Sequence, residues 1–258
     1  MSVPYSSGDW RGIARDAESS ALFGNDLDAW LAAEQGEIVV QYASREVRRI
    51  ELAGNRVVYC KIIRALTDAG YRGDEWFSWC KWVLRPSRAI AAFRISEAVL
   101  AAGLECAVPL LAVRRRVKGI PSDIFVTAEV PFDDLWKDTA LSGDELIHLL
   151  SSQTAKMHQC GFAHGDYILR NVCHNPQSGQ LVLLDNDRTW RPPTFLRKHY
   201  FARNLAQMAY SLLKRYNGET AVAEQFLSEY AALRNFPSAD AQHDIMTKCV
   251  ARFNRKKK

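Results

Sequence analysis

The chain has 258 residues, of which 48% are apolar and 24% are charged. This composition is typical of a folded globular protein and excludes a disordered or fibrous one. The net charge is +5, but residues 252–258 carry five positive charges and no negative one, so the rest of the chain is formally neutral. Because the protein is not basic over its whole length, we expect no nucleic-acid partner.

The six cysteines are scattered without a Cys-x-x-Cys pair, which argues against a disulfide scaffold and a structural zinc site. The longest apolar stretch, Ala98 to Val113, is interrupted by Glu105 and is shorter than the roughly 20 residues that cross a bilayer. The first residues show no secretory signal pattern. We therefore predict a cytoplasmic protein, whose basic tail leaves open a peripheral contact with the inner membrane.

In chain order, residues 1–36 contain one helical patch near Leu27–Ala33 and are predicted to be an N-terminal extension. Runs rich in Val, Ile and Tyr, with a turn at residues 53–55, then predict strands. The predicted strands are Glu37–Tyr42, Val47–Leu52, Arg56–Ile63, Val108–Arg114 and Ile124–Val130. A helix is predicted over Ser87–Ala102, with Gly103 as its C-terminal cap. Before it, Trp76, Trp79 and Trp82 either pack on this region or meet lipid or sugar.

After Pro131 the pattern becomes helical. Ser142 and Glu145 form a capping box before a helix with one apolar face. A short strand follows at Leu181–Leu184, and helical periodicity returns at His199–Arg215, Thr220–Leu233 and Ala239–Phe253. We predict an α+β protein of two lobes, residues 37–131 with an antiparallel sheet and one helix, and residues 132–258 mainly helical. Ligand sites favour the cleft between such lobes.

The most informative motif is His164-Gly-Asp166 with Asn171 five residues after the aspartate, followed by an apolar strand that ends at Asp185. This combination resembles the catalytic and metal-binding loops of the protein-kinase-like phosphotransferases. The resemblance implies that Asp166 acts on the acceptor hydroxyl, and that Asn171 and Asp185 bind Mg²⁺ through hard oxygen atoms. Asp187 is either a second carboxylate ligand or a cap of the following turn.

A kinase-like fold also requires residues upstream of this motif. It requires a lysine on the third strand to bind the ATP phosphates, and Lys61 lies in an apolar strand. It requires an acid on the first-lobe helix to orient that lysine, and Glu97 is the only one there. Backbone groups near Glu129 and Val130 are expected to bind adenine. The hairpin Gln41–Arg49 is expected to cover the phosphates without any glycine, and Ser44, Arg45 or Arg48 are candidates for contacting them.

With these residues placed, the chain resembles the bacterial lipopolysaccharide kinase family, whose members phosphorylate Kdo or heptose in the inner core. The resemblance covers about residues 37–215. Its segments are Arg-Val-Val-Tyr-Cys-Lys61, Arg85-Pro-Ser-Arg-Ala, Leu100-Ala-Ala-Gly-Leu104, Val108-Pro-Leu-Leu-Ala112, His164-Gly-Asp166 with Asn171, Leu-Leu-Asp185-Asn-Asp187-Arg188 and Arg203-Asn-Leu-Ala-Gln-Met208. It implies a reduced protein-kinase-like fold, ATP and Mg²⁺ as cofactors, and a lipopolysaccharide core glycolipid as acceptor.

An acceptor of this kind is anionic, so its site should be cationic. The cations that follow the metal strand are either part of this site or a solvated basic face: Arg188, Arg191, Arg197 and Lys198. Two alternatives stay open. A kinase of a soluble small molecule, similar to aminoglycoside phosphotransferases, would need an acidic acceptor pocket. A non-catalytic binding protein on a kinase fold would have lost base or metal residues, and all of them are present here. The last helix either rests on a membrane or packs in the second lobe.

Overall fold

The computed structural model describes residues 2–34, 36–42, 44–64, 86–117, 120–130, 133–136 and 141–255. The chain divides into two compact units. The first contains Met1–Ala98 and Ala107–Val130, and the second contains Val99–Cys106 and Pro131–Lys258. The predicted α+β architecture is confirmed, with an antiparallel sheet in the first unit and mainly helices in the second. Trp76, Trp79 and Trp82 lie outside the described residues.

The first unit is built on a seven-stranded sheet in which all neighbouring strands are antiparallel, in the order β1-β2-β7-β8-β5-β4-β3. Its strands are β1 (Val3–Ser7), β2 (Trp10–Ala14), β3 (Glu37–Tyr42), β4 (Arg45–Leu52), β5 (Arg56–Arg64), β7 (Pro109–Val117) and β8 (Ile120–Ala128). The five strands predicted from the sequence are all present, with bounds shifted by up to four residues.

The first 36 residues contribute to this sheet, which is a difference from the predicted extension. β2 pairs with β7, from Arg11 opposite Arg114 to Ala14 opposite Leu111. The side chain of Trp10 is only 2% exposed. These strands are short and mix Pro, Ser, Arg and Gly with apolar residues, so the sequence pattern alone does not identify them as strands. The predicted boundary at residue 36 therefore falls within one compact unit.

Helices pack on both faces of the sheet in the first unit. On one face lie α1 (Ala17–Leu22) and α2 (Leu27–Ala33), where Phe23 and Leu27 join Leu111 and Val113 in one apolar cluster. On the opposite face lies α3 (Arg88–Ala101), which packs Phe93 against Ala112. Successive side chains of a strand point to opposite faces. Leu111 and Val113 therefore face α1 and α2, whereas Ala112 faces α3. Of α1 and α2, the sequence predicted only α2.

The second unit contains four long helices and a small sheet. The helices are α4 (Gly143–Gln159), α5 (Arg197–Arg215), α6 (Thr220–Arg234) and α7 (Ala239–Arg255). The sheet has the order β6-β11-β10-β9, with strands β6 (Glu105–Cys106), β9 (Asp133–Asp134), β10 (Val172–Asn175) and β11 (Gln180–Leu183). β6 is parallel to β11, which is why residues 99–106 belong to this unit and not to the first.

The sequence signals of the helical unit are confirmed. Ser142 and Glu145 form the reciprocal capping box at the start of α4. On α7, Ile245, Met246 and Cys249 are buried, and the Cys249 thiol donates to the Ala206 carbonyl of α5 at 3.4 Å. The apolar face of the last helix is thus packed within its own unit. Across the described residues, no helix combines the length and the apolar character that crossing a bilayer requires.

Candidate active site

The segment from His164 to Asn171 is a loop that closes on its own first residue. The Nδ1 atom of His164 accepts the backbone N–H of Asp166 at 3.1 Å, and its Nε2–H donates to the Leu184 carbonyl at 2.9 Å. The imidazole is 2% exposed. It therefore ties the loop that carries Asp166 to the end of the strand segment that precedes Asp185.

Asn171 fixes the position of the Asp166 carboxylate. Its Nδ2 group donates to the Asp166 backbone carbonyl at 2.8 Å and to the Oδ2 atom of the same residue at 3.2 Å. Because the amide nitrogen is used in this way, the Oδ1 oxygen of Asn171 is the end of the side chain that suits a cation. One turn thus presents a carboxylate and a neutral oxygen ligand side by side.

Asp185 lies two residues after the end of strand β11 and has an unusual backbone conformation. Its φ is 53° and its ψ is 49°, in the left-handed region that costs most residues free energy. The neighbouring backbone is anchored on both sides. The Leu184 N–H donates to the Asn171 carbonyl at 2.9 Å, and the buried Asn186 side chain donates to Leu183 at 3.3 Å. The exposed Asp185 carboxylate is therefore held next to the loop of Asn171.

The pKa of His164 depends on its burial and on the three acidic residues predicted for the site. Burial lowers the pKa of His164, while its bond to Leu184 and the negative charges of Asp185, Asp166 and Asp187 raise it. The net direction is downward, so the neutral imidazole is favoured and its Nδ1 lone pair stays available to the Asp166 N–H. Asp166, Asp185 and Asp187 thus all influence the His164 imidazole, and Asn171 is bonded to Asp166.

Gly165 allows the two loops that carry these residues to approach each other closely. A Cβ atom at Gly165 would lie 2.7 Å from the Arg188 carbonyl oxygen and still closer to the Arg188 Cβ. The adjoining residues Ala163 and Trp190 exchange backbone hydrogen bonds of 2.9 and 3.1 Å. A residue larger than glycine would therefore push apart the segments that carry Asp166 and Asp187.

Helix α5 holds the backbone of the loop His164–Asn171 through one polar stripe, which sequence reasoning missed. Asn204, Gln207 and Ser211 share one helix face because they are three and four residues apart. Three backbone N–H groups of the loop donate to this stripe: His164 to Asn204 Oδ1 at 3.0 Å, Tyr167 to Gln207 Oε1 at 3.2 Å and Leu169 to Ser211 Oγ at 3.1 Å. In the other direction, the Gln207 Nε2–H donates to the Gly165 carbonyl at 3.3 Å. The signal was present as polar residues on the buried side of an otherwise apolar helix.

A second buried histidine supports this stripe. Burial lowers the pKa of His158 to about 3, so its imidazole is neutral. Its Nε2–H donates to Asn204 Oδ1 at 3.3 Å, and its Nδ1 accepts from the Tyr230 hydroxyl at 2.7 Å. The ring also stacks on Phe201, with ring centroids 4.0 Å apart. Asn204 is thus bonded both to the loop His164–Asn171 and to a residue of α4.

A cavity of about 310 Å³ opens beside Asp166 within the second unit. Its lining is Trp136, Asp166, Ile168, Arg170, Gln207, Tyr210, Ser211, Lys214 and Arg252. The cations proposed from the sequence do not line it. Arg191 stacks on the Phe162 ring at 4.2 Å, and Arg197 donates to the Pro192 carbonyl at 3.3 Å.

In the first unit, Lys61 and Glu97 lie on the same side of the sheet. Lys61 is on β5, opposite Val47 on one neighbouring strand and Phe125 on the other. Its neighbours Cys60 and Ile62 point into the cluster under α1 and α2. The alternation of a strand therefore directs Lys61 toward the face covered by α3, which carries the half-buried Glu97.

The residues expected to bind adenine follow strand β8. The Glu129 N–H donates to the Val57 carbonyl at 3.0 Å, and its carboxylate lies 3.4 Å from Arg49 Nε. The N–H and the exposed side chain of Glu129 thus already bond to Val57 and Arg49 in the first unit. The Glu129 carbonyl and the backbone of half-buried Val130 are the groups left for the predicted binding of adenine. In the predicted phosphate-covering hairpin, Arg48 pairs with the buried Glu46, whereas Arg45 stacks on Tyr42 at 5.1 Å.

The donor set in the second unit fits Mg²⁺. Within the described residues there is no group of three or more His, Cys, Asp and Glu side chains arranged as a metal site. Mg²⁺ does not need one, because it keeps several waters and substrate phosphates and takes only one or two protein carboxylates. The Asn171 amide oxygen and the Asp185 carboxylate are hard oxygen donors on adjoining segments, which is the kind of partial shell that this ion uses.

No protein-family model matches the chain, and no curated protein matches its sequence. Solved structures do match it. The amicoumacin kinase hAmiN, in complex with AMP-PNP, Ca²⁺ and Ami, superposes with a TM-score of 0.55 at 13% identity, over 93% of this chain and 96% of that chain. The Rio2 kinase of Chaetomium thermophilum, in an ADP/Mg²⁺-phosphoaspartate complex, superposes with a TM-score of 0.54 at 14% identity, over 99% and 82%. This likeness shows that the chain has a protein-kinase-like fold.

Proposed function

We propose that the protein is an ATP- and Mg²⁺-dependent kinase that phosphorylates a sugar, Kdo or heptose, of the lipopolysaccharide inner core. The phosphotransferase activity is supported by the cluster of Asp166, Asn171 and Asp185 around the neutral His164. The sugar acceptor is supported by the sequence pattern of the lipopolysaccharide kinase family. A glycolipid acceptor would bring the protein to the cytoplasmic membrane face, where the basic tail of residues 252–258 would meet anionic lipid.

The residues of the second unit would prepare the acceptor. Asp166 would orient the attacking hydroxyl and take its proton at a carboxylate oxygen. Asn171 would keep that carboxylate in one rotamer through its Nδ2 group, and its Oδ1 atom together with Asp185 would hold Mg²⁺. Asp187 would add a third oxygen ligand. When bound, Mg²⁺ neutralises the charge of the ATP phosphates.

The residues of the first unit would bind the nucleotide. Lys61 would contact the ATP phosphates, and Glu97 would orient the lysine. Backbone groups of Glu129 and Val130 would bind the adenine edge. The transfer step needs little covalent work from the protein, so positioning and charge stabilisation would supply most of the rate.

The test is the transfer of labelled phosphate from ATP and Mg²⁺ to purified inner-core lipopolysaccharide. We expect the wild-type protein to label the glycolipid, and we expect Asp166→Asn to lower the rate by about 10²–10⁴-fold, as for loss of a general base. Asp240→Asn, which changes an exposed aspartate at the start of α7, is the matched control and should keep the wild-type rate. Mapping the label distinguishes Kdo from heptose.

Two results would contradict the proposal. If the wild-type protein binds ATP but labels no core acceptor, the lipopolysaccharide assignment fails, and a screen of soluble hydroxyl compounds tests the small-molecule alternative. If Asp166→Asn and Asp185→Asn both transfer phosphate at the wild-type rate, the assigned site is wrong. A protein that binds nucleotide but transfers phosphate to nothing would be a non-catalytic binding protein.

A further inference from the structure

The cavity beside Asp166 carries three cations from three separate segments. Arg170 comes from the catalytic loop, Lys214 from α5 and Arg252 from α7. Against them, Asp166 is the only carboxylate among the described residues that line the cavity. The volume of about 310 Å³ lies at the lower end of the range for small-molecule sites. The cavity is therefore large enough for a compact ligand and carries an excess of positive charge.

Aromatic rings hold these cations in place without neutralising them. The Arg170 guanidinium lies 4.8 Å from the centre of the Trp136 ring. The Tyr210 ring has Arg252 at 4.5 Å and Lys214 at 5.4 Å. In the described part of the chain, no carboxylate forms an ion pair with any of the three. Cation–π contacts restrict the motion of a side chain but leave its charge available to a ligand.

Tyr210 provides a second and independent indication of a ligand. The residue is 7% exposed and lines the cavity, yet its buried hydroxyl has no hydrogen-bond partner among the described residues. An unpaired hydroxyl in a buried position costs free energy, and most such groups in proteins are paired. An oxygen atom of a bound ligand would accept this hydrogen bond.

We infer that this cavity is the acceptor site and that it selects a hydroxylated compound with an anionic group, a carboxylate or a phosphate. The inference rests on the proposed function and names the class of its acceptor. Arg170, Lys214 and Arg252 bind the anionic group, and the hydroxyl to be phosphorylated lies at Asp166. A cationic acceptor would be repelled by the three side chains, which disfavours an acceptor of the aminoglycoside type.

The reaction at this site is the transfer of the γ-phosphoryl group of ATP to the acceptor hydroxyl. The acceptor oxygen bonds to the γ-phosphorus of ATP, and the bond from that phosphorus to the β,γ-bridging oxygen breaks. The acceptor proton passes to the Asp166 carboxylate, and ADP is the leaving group. An anionic acceptor approaches both Asp166 and the ATP phosphates against charge repulsion, and the three cations offset that repulsion.

Calorimetric binding to the full chain without ATP tests the inference directly. The probes are Kdo and its uncharged methyl ester, and a hexose phosphate and the free hexose. We expect the charged member of at least one pair to bind about tenfold more tightly than its neutral counterpart, as for a charge-assisted contact. The preferred pair identifies carboxylate or phosphate as the group that is recognised.

Variants test which residues recognise the charge. Arg252→Gln and Lys214→Gln should each weaken binding of the charged probe by roughly threefold to tenfold, since each removes one partly solvated contact. Tyr210→Phe keeps the ring under both cations and removes only the hydroxyl, and it should also weaken binding. Arg255→Gln removes the same charge one turn further along α7, outside the cavity lining, and should leave affinity unchanged.

The outcomes separate this inference from the proposed function. Equal affinities for charged and neutral probes in both pairs, or unchanged affinity in Arg252→Gln and Lys214→Gln, would overturn the acceptor site. If a charged probe binds tightly but no anionic compound is phosphorylated, the anion site is supported and the proposed kinase activity is overturned. Phosphate transfer to neutral sugars alone would keep the kinase activity and overturn the anion selectivity.

Discussion

Asp166 is held by groups of its own loop at its N–H, at its carbonyl and at one carboxylate oxygen. Only two side chains, His164 and Asn171, make these bonds. The neutral state of His164 matters here because a second proton on the imidazole would remove the lone pair that accepts the Asp166 N–H. A general base is effective when it is held in a productive geometry, and these bonds restrain Asp166, the residue proposed for that role.

Gly165 gives a prediction at the scale of one residue. Gly165→Ala places a Cβ against the Arg188 backbone, and the loops of Asp166 and Asp187 must separate to accept it. We expect a loss of about 1–3 kcal/mol in the free energy of unfolding, as for overpacking. We also expect the rate of phosphate transfer to fall by more than the fraction of unfolded protein at the assay temperature can explain. Urea unfolding and the labelled-ATP assay measure the two effects.

Gly143→Ala is the matched control, because no atom lies within 4 Å of a Cβ added at that position. It lies in the first turn of α4, where alanine is at least as favourable as glycine. Its stability and rate should equal those of the wild-type protein. Wild-type values for Gly165→Ala would show that the close approach of the two loops is unimportant for the site.

Helix α5 combines two functions on two faces. Its apolar residues Leu205, Met208 and Leu212 are fully buried and pack the unit, while its polar stripe of Asn204, Gln207 and Ser211 pairs with the loop His164–Asn171. The Asn204 side chain is bonded at both ends, since its Oδ1 accepts from His158 and His164 and its Nδ2 donates to Gln207 and the His164 carbonyl. The helix therefore sets the backbone path of the loop.

Asn204→Ala tests this function of the helix. The substitution leaves the buried N–H and carbonyl of His164 and the Nε2–H of His158 without their partner. We expect the free energy of unfolding to fall by about 3 kcal/mol, since each unpaired buried group costs about 1–3 kcal/mol. We expect phosphate transfer to fall more than nucleotide affinity, because the loop carries the base. Denaturant unfolding and nucleotide titration give both values.

Arg203→Ala changes the exposed neighbour of Asn204 on the same helix and should lie within about 0.5 kcal/mol of the wild-type protein. An Asn204→Ala variant with wild-type stability and rate would show that water replaces the asparagine, and that the polar stripe does not position the loop.

At the scale of the whole molecule, the first residues of the chain complete the sheet of the first unit. β2 covers the edge of β7, and an exposed strand edge would be a site of aggregation. The buried side chains of Tyr5 and Trp10 share one apolar cluster with residues of β5, β7 and β8. The stability of the unit that carries Lys61 therefore depends on residues far from it in sequence.

Removal of residues 1–35 should consequently destabilise the protein and promote its aggregation. Trp10→Ala tests the same point with the full chain, and we expect it to lower the free energy of unfolding by about 3–5 kcal/mol, as for other buried tryptophans. Asp9→Ala, at an exposed neighbouring position, is the control. A truncated chain that stays monomeric and unfolds at the wild-type temperature would show that these strands are dispensable, as an extension would be.

By itself, the sequence determined the features that depend on local order. The capping box at Ser142 and Glu145, the long helices, the central strands and the spacing of Asp166, Asn171 and Asp185 are all encoded within short windows, because helix and turn hydrogen bonds join residues close in the chain. The protein-kinase-like fold was implied by the resemblance of this motif to the loops of the protein-kinase-like phosphotransferases, and the structure confirms that fold.

Only the tertiary structure decided which distant residues meet. Arg170, Lys214 and Arg252 each lie in a different segment, and nothing in their local pattern distinguishes them from the Arg188, Arg191, Arg197 and Lys198 run. Likewise, β1 and β2 are recognisable as strands only beside β7. Contacts between such segments arise from the packing of whole helices and strands, which depends on the sum of many buried apolar contacts, so no single stretch of sequence carries them.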